Sequence, residues 1–340
     1  MHNGWSEALR GLGEQVVEYN LNDRLLFYSS AIMETGRKTD AGLPEMRRAL
    51  DREQAVRLAA DGILSAAYQF WPQVILLVSA FFLPEAVIES LRRRGHKIVV
   101  LHSEAPYEDE QQLKRAAWGD INLLNDPANI DAFRAICPES HYMPHAYRPG
   151  FHKPGPVIEG MRCDLAFNGT GFQSRIEFFE KMLPGLQGLD VMLTGNWQAL
   201  EDDSPLNELL AHEKDRCLDN EQAVSLYRSA RAGLNLYRQE ALDANAGQGW
   251  AMGPREIELA ATGLFFLRDR RPESDEVLWM LPSFDSPGDA AEKLRWWLDP
   301  ARDSRRADAA LGARRAIAGR TFPNHAAELL RMLDRLPARV

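Results

Sequence analysis

The stretch VILLVSAFFLPEAVIESLRRRGHKIVVL, Val74–Leu101, decides the fold class. Val74–Val78 and Lys97–Leu101 are unbroken apolar runs of strand length, the pattern of strands buried on both faces. Between them Pro84–Arg94 carries apolar residues at helical spacing and stops at Gly95, which suits a helix C-cap. A strand, a helix and a second strand in this order form a parallel crossover unit. The apolar run Val74–Leu83 is about half the length of a bilayer span, so it reads as a core strand and its continuation.

The same alternation extends in both directions. Downstream, helices are expected over Glu110–Ala117 and Ile130–Ile136, with strands over Ile121–Leu124 and Ser140–Met143. Upstream, Arg47–Tyr68 has the apolar spacing of a helix through Leu50, Val56, Leu58, Ala59, Ile63 and Leu64, and Val16–Tyr19 resembles a strand. Trp5, Leu9 and Leu12 mark a helix that closes at Gly13. A doubly wound unit normally opens on a strand that feeds its first helix. Here the helix comes first, so the first strand of this unit is expected to be missing.

Pro144–Gly160 holds four prolines and three glycines and reads as an interdomain connection. A second set of elements follows: strands at Cys163–Phe167, Val191–Thr194, Gly233–Tyr237 and Leu264–Leu267, and helices at Ser174–Met182, Glu221–Ala230 and from Pro254 to just before Gly263. Ser286 is placed to cap a helix over Asp289–Leu298, and Leu329, Leu330, Leu333 and Leu336 form the apolar stripe of a closing helix. The expected class is α/β with parallel sheets. Its division is an N-terminal domain over 1–150, a linker over 151–160, a C-terminal domain over 161–322, and a last helix over 323–340 crossing back to the first domain.

At 340 residues the chain has room for two cores. With 45% hydrophobic and 26% charged residues it has a globular composition, and a net charge of -9 removes any global attraction to nucleic acid. Arg92–Arg94 with Lys97 forms a local basic patch. Cys137, Cys163 and Cys217 show no zinc or disulfide spacing, and the start lacks a signal-peptide profile, so a reducing cytoplasm is the simplest setting.

Ligands of open parallel sheets sit at the carboxyl ends of strands. Four loops qualify: His102–Asp109, Asn168–Arg175, Thr194–Trp197, and the chain around Asn235 and Arg238. In the second, Gly169, Thr170 and Gly171 permit close backbone approach and Arg175 adds a cation for a diphosphate. The competing reading is a tight turn with a surface arginine. Glu104 is either an acid acting on an acceptor hydroxyl or an exposed loop acid, and His145 either faces the cleft or is structural.

The glycine-rich run from Gly247 through Gly253 opens a helix at Pro254, whose N-terminus favours a phosphate, and Arg255 and Glu258 lie side by side on it. A carboxylate at 258 suits a ribose. The competing reading is an ordinary helix–strand unit. Glu201-Asp202-Asp203 is either a divalent-ion site or a solvated acidic turn. The P-loop and G-x-S-x-G patterns do not occur.

In order along the chain, WPQVILLVSAFFLP, HSEAPYEDEQQ, LLNDPANIDAFR, YMPHAYRPGFHKP, CDLAFNGTGFQSRIEFFE, LTGNW, AVSLYRSARAGLNLYR and GPREIELAATGLFFLRDRRPESDEVL resemble the CgeB-like, or spore-maturation-protein-like, glycosyltransferases of the GT-B fold. That resemblance implies two Rossmann-like domains facing across a cleft, a nucleotide-sugar donor held by the C-terminal domain, an acceptor on the N-terminal one, and no cofactor or metal. It places Glu258 on the ribose, Arg255 beside it, and Gly169, Thr170 and Arg175 on the diphosphate; Asn196, Asn235 and Arg238 from the strand-end loops and Gly253 before the helix are further donor-site candidates. The acceptor is a protein, a glycan, a metabolite or a modified DNA base.

Related retaining families carry a second glutamate eight residues before the ribose glutamate, where this chain has Trp250. Glu104 and His145 therefore stand in as the catalytic candidates. The alternative is a nucleotide-sugar or glycan-binding module without turnover, and a third reading is an assembly component that binds no nucleotide.

Overall fold

The computed structural model describes residues 1–240 and 249–336. The chain begins with α1 (His2–Gly11) and α2 (Leu21–Ser29), then an antiparallel hairpin of β1 (Ile32–Lys38) and β2 (Pro44–Arg48), then α3 (Arg52–Phe70). The first parallel sheet follows: β3 (Val74–Val78), α4 (Glu85–Arg93), β4 (Lys97–His102), α5 (Asp109–Leu113), β5 (Ile121–Leu124), α6 (Ile130–Ile136) and β6 (Ser140–Tyr142). Its strands lie side by side in chain order, all parallel. Right-handed crossovers that always advance the same way put their helices on one face. There Ile98 and Val100 of β4 pack with Val87, Ile88 and Leu91 of α4.

The second sheet contains β7 (Cys163–Asn168), α7 (Gln173–Leu186), β8 (Val191–Thr194), α8 (Asn220–Ser229), β9 (Ala230–Asn235), α9 (Pro254–Thr262) and β10 (Phe266–Arg268). Its order is β10-β9-β7-β8, again all parallel. β7 therefore has β8 on one side and β9 on the other, a topological switch point. Four helices end the described chain: α10 (Pro272–Val277), α11 (Pro287–Leu298), α12 (Asp303–Ala316) and α13 (Phe322–Arg335). α13 returns to the first sheet. Phe322, Ala326, Leu329 and Leu333 join Trp5 and Ala8 of α1 over Val99, Leu101, Ile121 and Leu123, covering the face that the crossover helices leave bare.

Local signals explain the boundaries. Asp51 and Gln54 form a reciprocal capping box, so α3 starts at Arg52 and not at Arg47; Arg47 and Arg48 belong to β2. Gly263 ends α9 at φ 82, a left-handed position that glycine takes without steric cost. The expected helix over Glu110–Ala117 divides into α5 and a 3-10 turn at Ala116–Trp118. β9 begins and ends earlier than expected, and β10 covers only the end of the expected Leu264–Leu267 strand before running one residue past it.

Val16–Tyr19 is not a strand. Tyr19 instead packs on α3, its hydroxyl donating to the Ala59 carbonyl at 2.5 Å. The hairpin, α2, α10 and α12 were not anticipated. No strand precedes α1 among the described residues. Gly247 and Gln248 of the glycine-rich run and residues 337–340 of the expected last helix lie outside the described residues. The Arg92–Arg94 patch is largely committed locally: Arg92 bonds the Ala117 carbonyl, Arg93 pairs with Glu89, and Lys97 reaches the last carbonyls of α13.

Candidate functional site

The carboxyl ends of both parallel sheets open onto one cleft of about 420 Å³. Ser103 and Glu104 arrive from the end of β4, Asn125 and Asp126 from β5, and His145 from the chain after β6. From the other side come Asn168, Gly169 and Thr170 after β7, Asn235 and Arg238 after β9, and Gly253 and Arg255 at the start of α9. A second pocket of about 230 Å³ adjoins it and shares Asn168, Gly169, Thr170 and Arg255; Asn196 and Glu258 line this smaller space. The candidate donor-site residues, with Glu104 and His145, thus all line one of two neighbouring pockets, while Gly171 and the acidic turn Glu201-Asp202-Asp203 line neither. The switch point at β7 is why: the loops after β7 and β9 diverge there and leave a crevice.

The wall between the pockets is tied together through Tyr227. Its hydroxyl accepts from Asn168 Nδ2 at 3.0 Å and from the Arg255 guanidinium. Arg255 Nη1 also meets Glu258 Oε2 at 2.7 Å, the neighbour relation expected three residues apart on a helix. Arg175 is placed differently from its sequence reading. Its donors go to the Leu236 carbonyl at 3.1 and 2.7 Å and to the Thr170 carbonyl at 2.9 Å, and burial pulls its pKa down to about 10. Still charged at neutral pH, it braces the 169–171 loop against the end of β9. Gly195 is needed behind that loop, since its φ is 107 and a Cβ there would lie 2.3 Å from the Gly169 carbonyl oxygen.

Arg238 lies over the Tyr107 ring at 4.0 Å. Burial raises the Glu104 carboxyl above its usual range, while the charge of Arg238 pulls the other way. His145 is buried, faces the Asn125 amide at 2.8 Å through Nε2, and is pushed down to about 4 by desolvation, so it is neutral at physiological pH. Such a histidine is a weak base.

The approach to α9 departs most from expectation. Its backbone N–H groups do not stand open for a phosphate. Asp126 Oδ2 accepts from Trp250 N at 2.8 Å and Ala251 N at 2.9 Å, Glu273 Oε2 from Met252 N at 2.7 Å, and Glu256 Oε2 from Gly253 N at 3.0 Å. Three carboxylates of the protein satisfy four successive donors. Gly249 serves a close approach of another kind, for a Cβ there would sit 1.5 Å from Arg271 Nη1.

Sequence reasoning missed Asp126, Arg271, Tyr107 and Tyr237. Arg271 is buried, donates to the Tyr107 hydroxyl at 3.1 Å, approaches Asp126 at 3.7 Å and lies 4.1 Å from the Tyr237 ring. The acidic turn at Glu201-Asp202-Asp203 is partly neutralised by Lys214, 2.7 Å from Asp202. Among the described residues no group of three or more His, Cys, Asp or Glu could hold a metal ion, and no helix is long and apolar enough to cross a membrane.

The sequence model of a family described as Glycosyl transferase-like matches residues 175–331, which run from the first turn of α7 into α13. No curated protein sequence matches the chain. Among solved structures, it is similar to a UDP-forming α,α-trehalose-phosphate synthase from Burkholderia xenovorans, with TM-score 0.58 and 11% identity over 85% of this chain and 80% of that one. A sucrose-phosphate synthase from Thermosynechococcus elongatus gives TM-score 0.61 and 10% identity over 88% and 84%. The structure "Trehalose-6-phosphate from E. coli bound with UDP-2-fluoro glucose" gives TM-score 0.57 and 11% identity over 85% and 79%. At such identities the likeness concerns the fold, and the fold is of the GT-B type: α/β, with two Rossmann-like domains facing across a cleft.

Proposed function

We propose that this chain transfers a sugar from a nucleoside-diphosphate sugar to an acceptor hydroxyl. The observation that carries the reading is the pair of adjoining pockets at the switch point of the second sheet, with Glu258 in the smaller and Arg238 and Arg255 at the larger. The smaller pocket takes the nucleoside, and Glu258 accepts from ribose hydroxyls. Sugar and diphosphate occupy the cleft, where Arg238 and Arg255 meet the charge that builds on the leaving group. Arg175 and Gly169–Thr170 shape the diphosphate loop, and Asn196, Asn235 and Gly253 line its surroundings.

The acceptor enters from the N-terminal rim. Its oxygen bonds to the anomeric carbon as the bond from that carbon to the diphosphate oxygen breaks and its electron pair leaves with the nucleoside diphosphate. Glu104, a carboxyl of raised pKa in the cleft, takes the acceptor proton. His145 stays neutral and steadies Asn125. In this reading arginines neutralise the diphosphate, so chelation of divalent ions leaves turnover intact.

Thermal shift and nucleoside-diphosphate release with UDP-, GDP-, dTDP- and ADP-linked sugars test the proposal. A ligand that binds only the folded protein raises its melting temperature. We expect a shift with at least one nucleoside diphosphate, and Glu258→Ala weakens its binding ten-fold or more, about 1.4 kcal/mol. No shift with any of the four overturns it. Trp250 and the internally satisfied N–H groups beside it favour a second reading, a binding module without turnover. Tight donor binding with no diphosphate release selects that one.

A further inference from the structure

We propose that Asp126 is a positioning residue that sets the geometry of the Trp250–Gly253 loop from the opposite domain. The inference rests on the transferase reading above, in which sugar and diphosphate occupy the cleft that Ala251, Met252 and Gly253 of this loop line. The side chain is only 2% exposed and its two oxygens have separate tasks. Oδ1 accepts from Ala128 N at 2.9 Å, which fixes the rotamer through the turn after β5. Oδ2 accepts from both Trp250 N and Ala251 N and faces Arg271 at 3.7 Å.

The clamp is built on both sides of the cleft. Arg271 reaches back to the Tyr107 hydroxyl in the first domain, and Gly249 leaves room for its guanidinium. One residue further along, Glu273 holds Met252 N while accepting from the Tyr142 hydroxyl of β6 at 2.6 Å. Two carboxylate contacts, one donated by the first domain and one anchored to it, thus fix three successive N–H groups of the second. A loop held this way keeps its geometry only while the domains are engaged. Asp126 thereby couples closure of the cleft to the arrangement of the sugar-side loop, and it brings a carboxylate to position 250, where the chain itself has a tryptophan.

The experiment compares wild type with Asp126→Leu, which keeps the branched skeleton and has no acceptor, and Asp126→Asn, which keeps an acceptor and loses the charge. Three quantities are read in the full chain: affinity for UDP or whichever of the four diphosphates binds, kcat for its release from the sugar donor, and amide hydrogen exchange at Trp250 and Ala251. Asp126→Leu is expected to lower kcat at least fifty-fold, leave the diphosphate Kd within three-fold, and speed exchange of both amides at least ten-fold. Asp126→Asn restores kcat to a fifth of wild type or better.

Unchanged exchange in Asp126→Leu overturns the clamp whether or not the protein turns over. Unchanged kcat overturns its positioning role, as does a loss of kcat matched by an equal loss of diphosphate affinity. If wild type neither binds a diphosphate nor releases one from the donor, the transferase reading falls, and the exchange data alone then decide the clamp.

Discussion

The two parallel sheets solve the same packing problem differently. The second reverses direction at β7 and draws on its own crossover helices, with Phe167, Phe179, Trp197, Ile257 and Ala260 in one continuous core. The first never reverses, so its crossover helices share one face and the other is covered by α1 and α13. Reversal gives the second sheet a crevice for a ligand. Lack of reversal makes the first sheet depend on a helix encoded at the far end of the described chain.

Acid should separate the halves most strongly. His102, His145 and His325 all lie with the first sheet or with α13, and burial pushes each down to about 4. In the unfolded chain they titrate near 6.5, so between those values the unfolded state binds more protons and stability falls as pH falls. At pH 5 each costs about 2 kcal/mol, and three together approach the whole stability of an ordinary domain. Urea unfolding with amide exchange at pH 7 and pH 5 should show Val99–Leu101 losing protection first. Equal loss in β7 and β9 would break the comparison.

A smaller effect is expected from Leu329→Asp, which places a carboxylate against Val99 and Ile121 at a site 1% exposed. The cost should reach about 4 kcal/mol or more. On the proposed function, diphosphate binding at the second sheet should outlast protection of the first in this variant. Smallest is Gly263→Ala, a lesion confined to the second half. Alanine is strained at φ 82, so a loss of about 1 kcal/mol in urea unfolding is expected, with exchange at Val99–Leu101 no faster. Faster exchange there would mean the halves unfold as one.

Apolar strands were legible because burial imposes a composition: β5 and β8 coincide with their apolar runs, and so does β3, although as an edge strand it is half-buried throughout and not covered on both faces as its run suggested. The hairpin was not, since β1 and β2 are almost wholly exposed and no core pattern marks them. α12 was missed for a related reason. Its buried face is made of Ala309, Ala310 and Ala313, which contrast little with their neighbours. At the site, attention to strand ends brought Glu104, Gly169, Asn235 and Arg238 to one cleft but passed over the end of β5, where Asp126 stands. The glycines before α9 suggested a phosphate cradle, and no local pattern could reveal carboxylates arriving from α10 and from another domain.

The position of α13 also decides when, during synthesis, the first sheet can be completed. Val99, Leu101, Ile121 and Leu123 leave the ribosome well over a hundred residues before Phe322, Ala326 and Leu329 exist to cover them. Contacts so distant in sequence form late and slowly. Until α13 is made, the part of the first sheet's apolar face that it covers stays open, and the first-domain side of the cleft is finished only after the second-domain side has been translated.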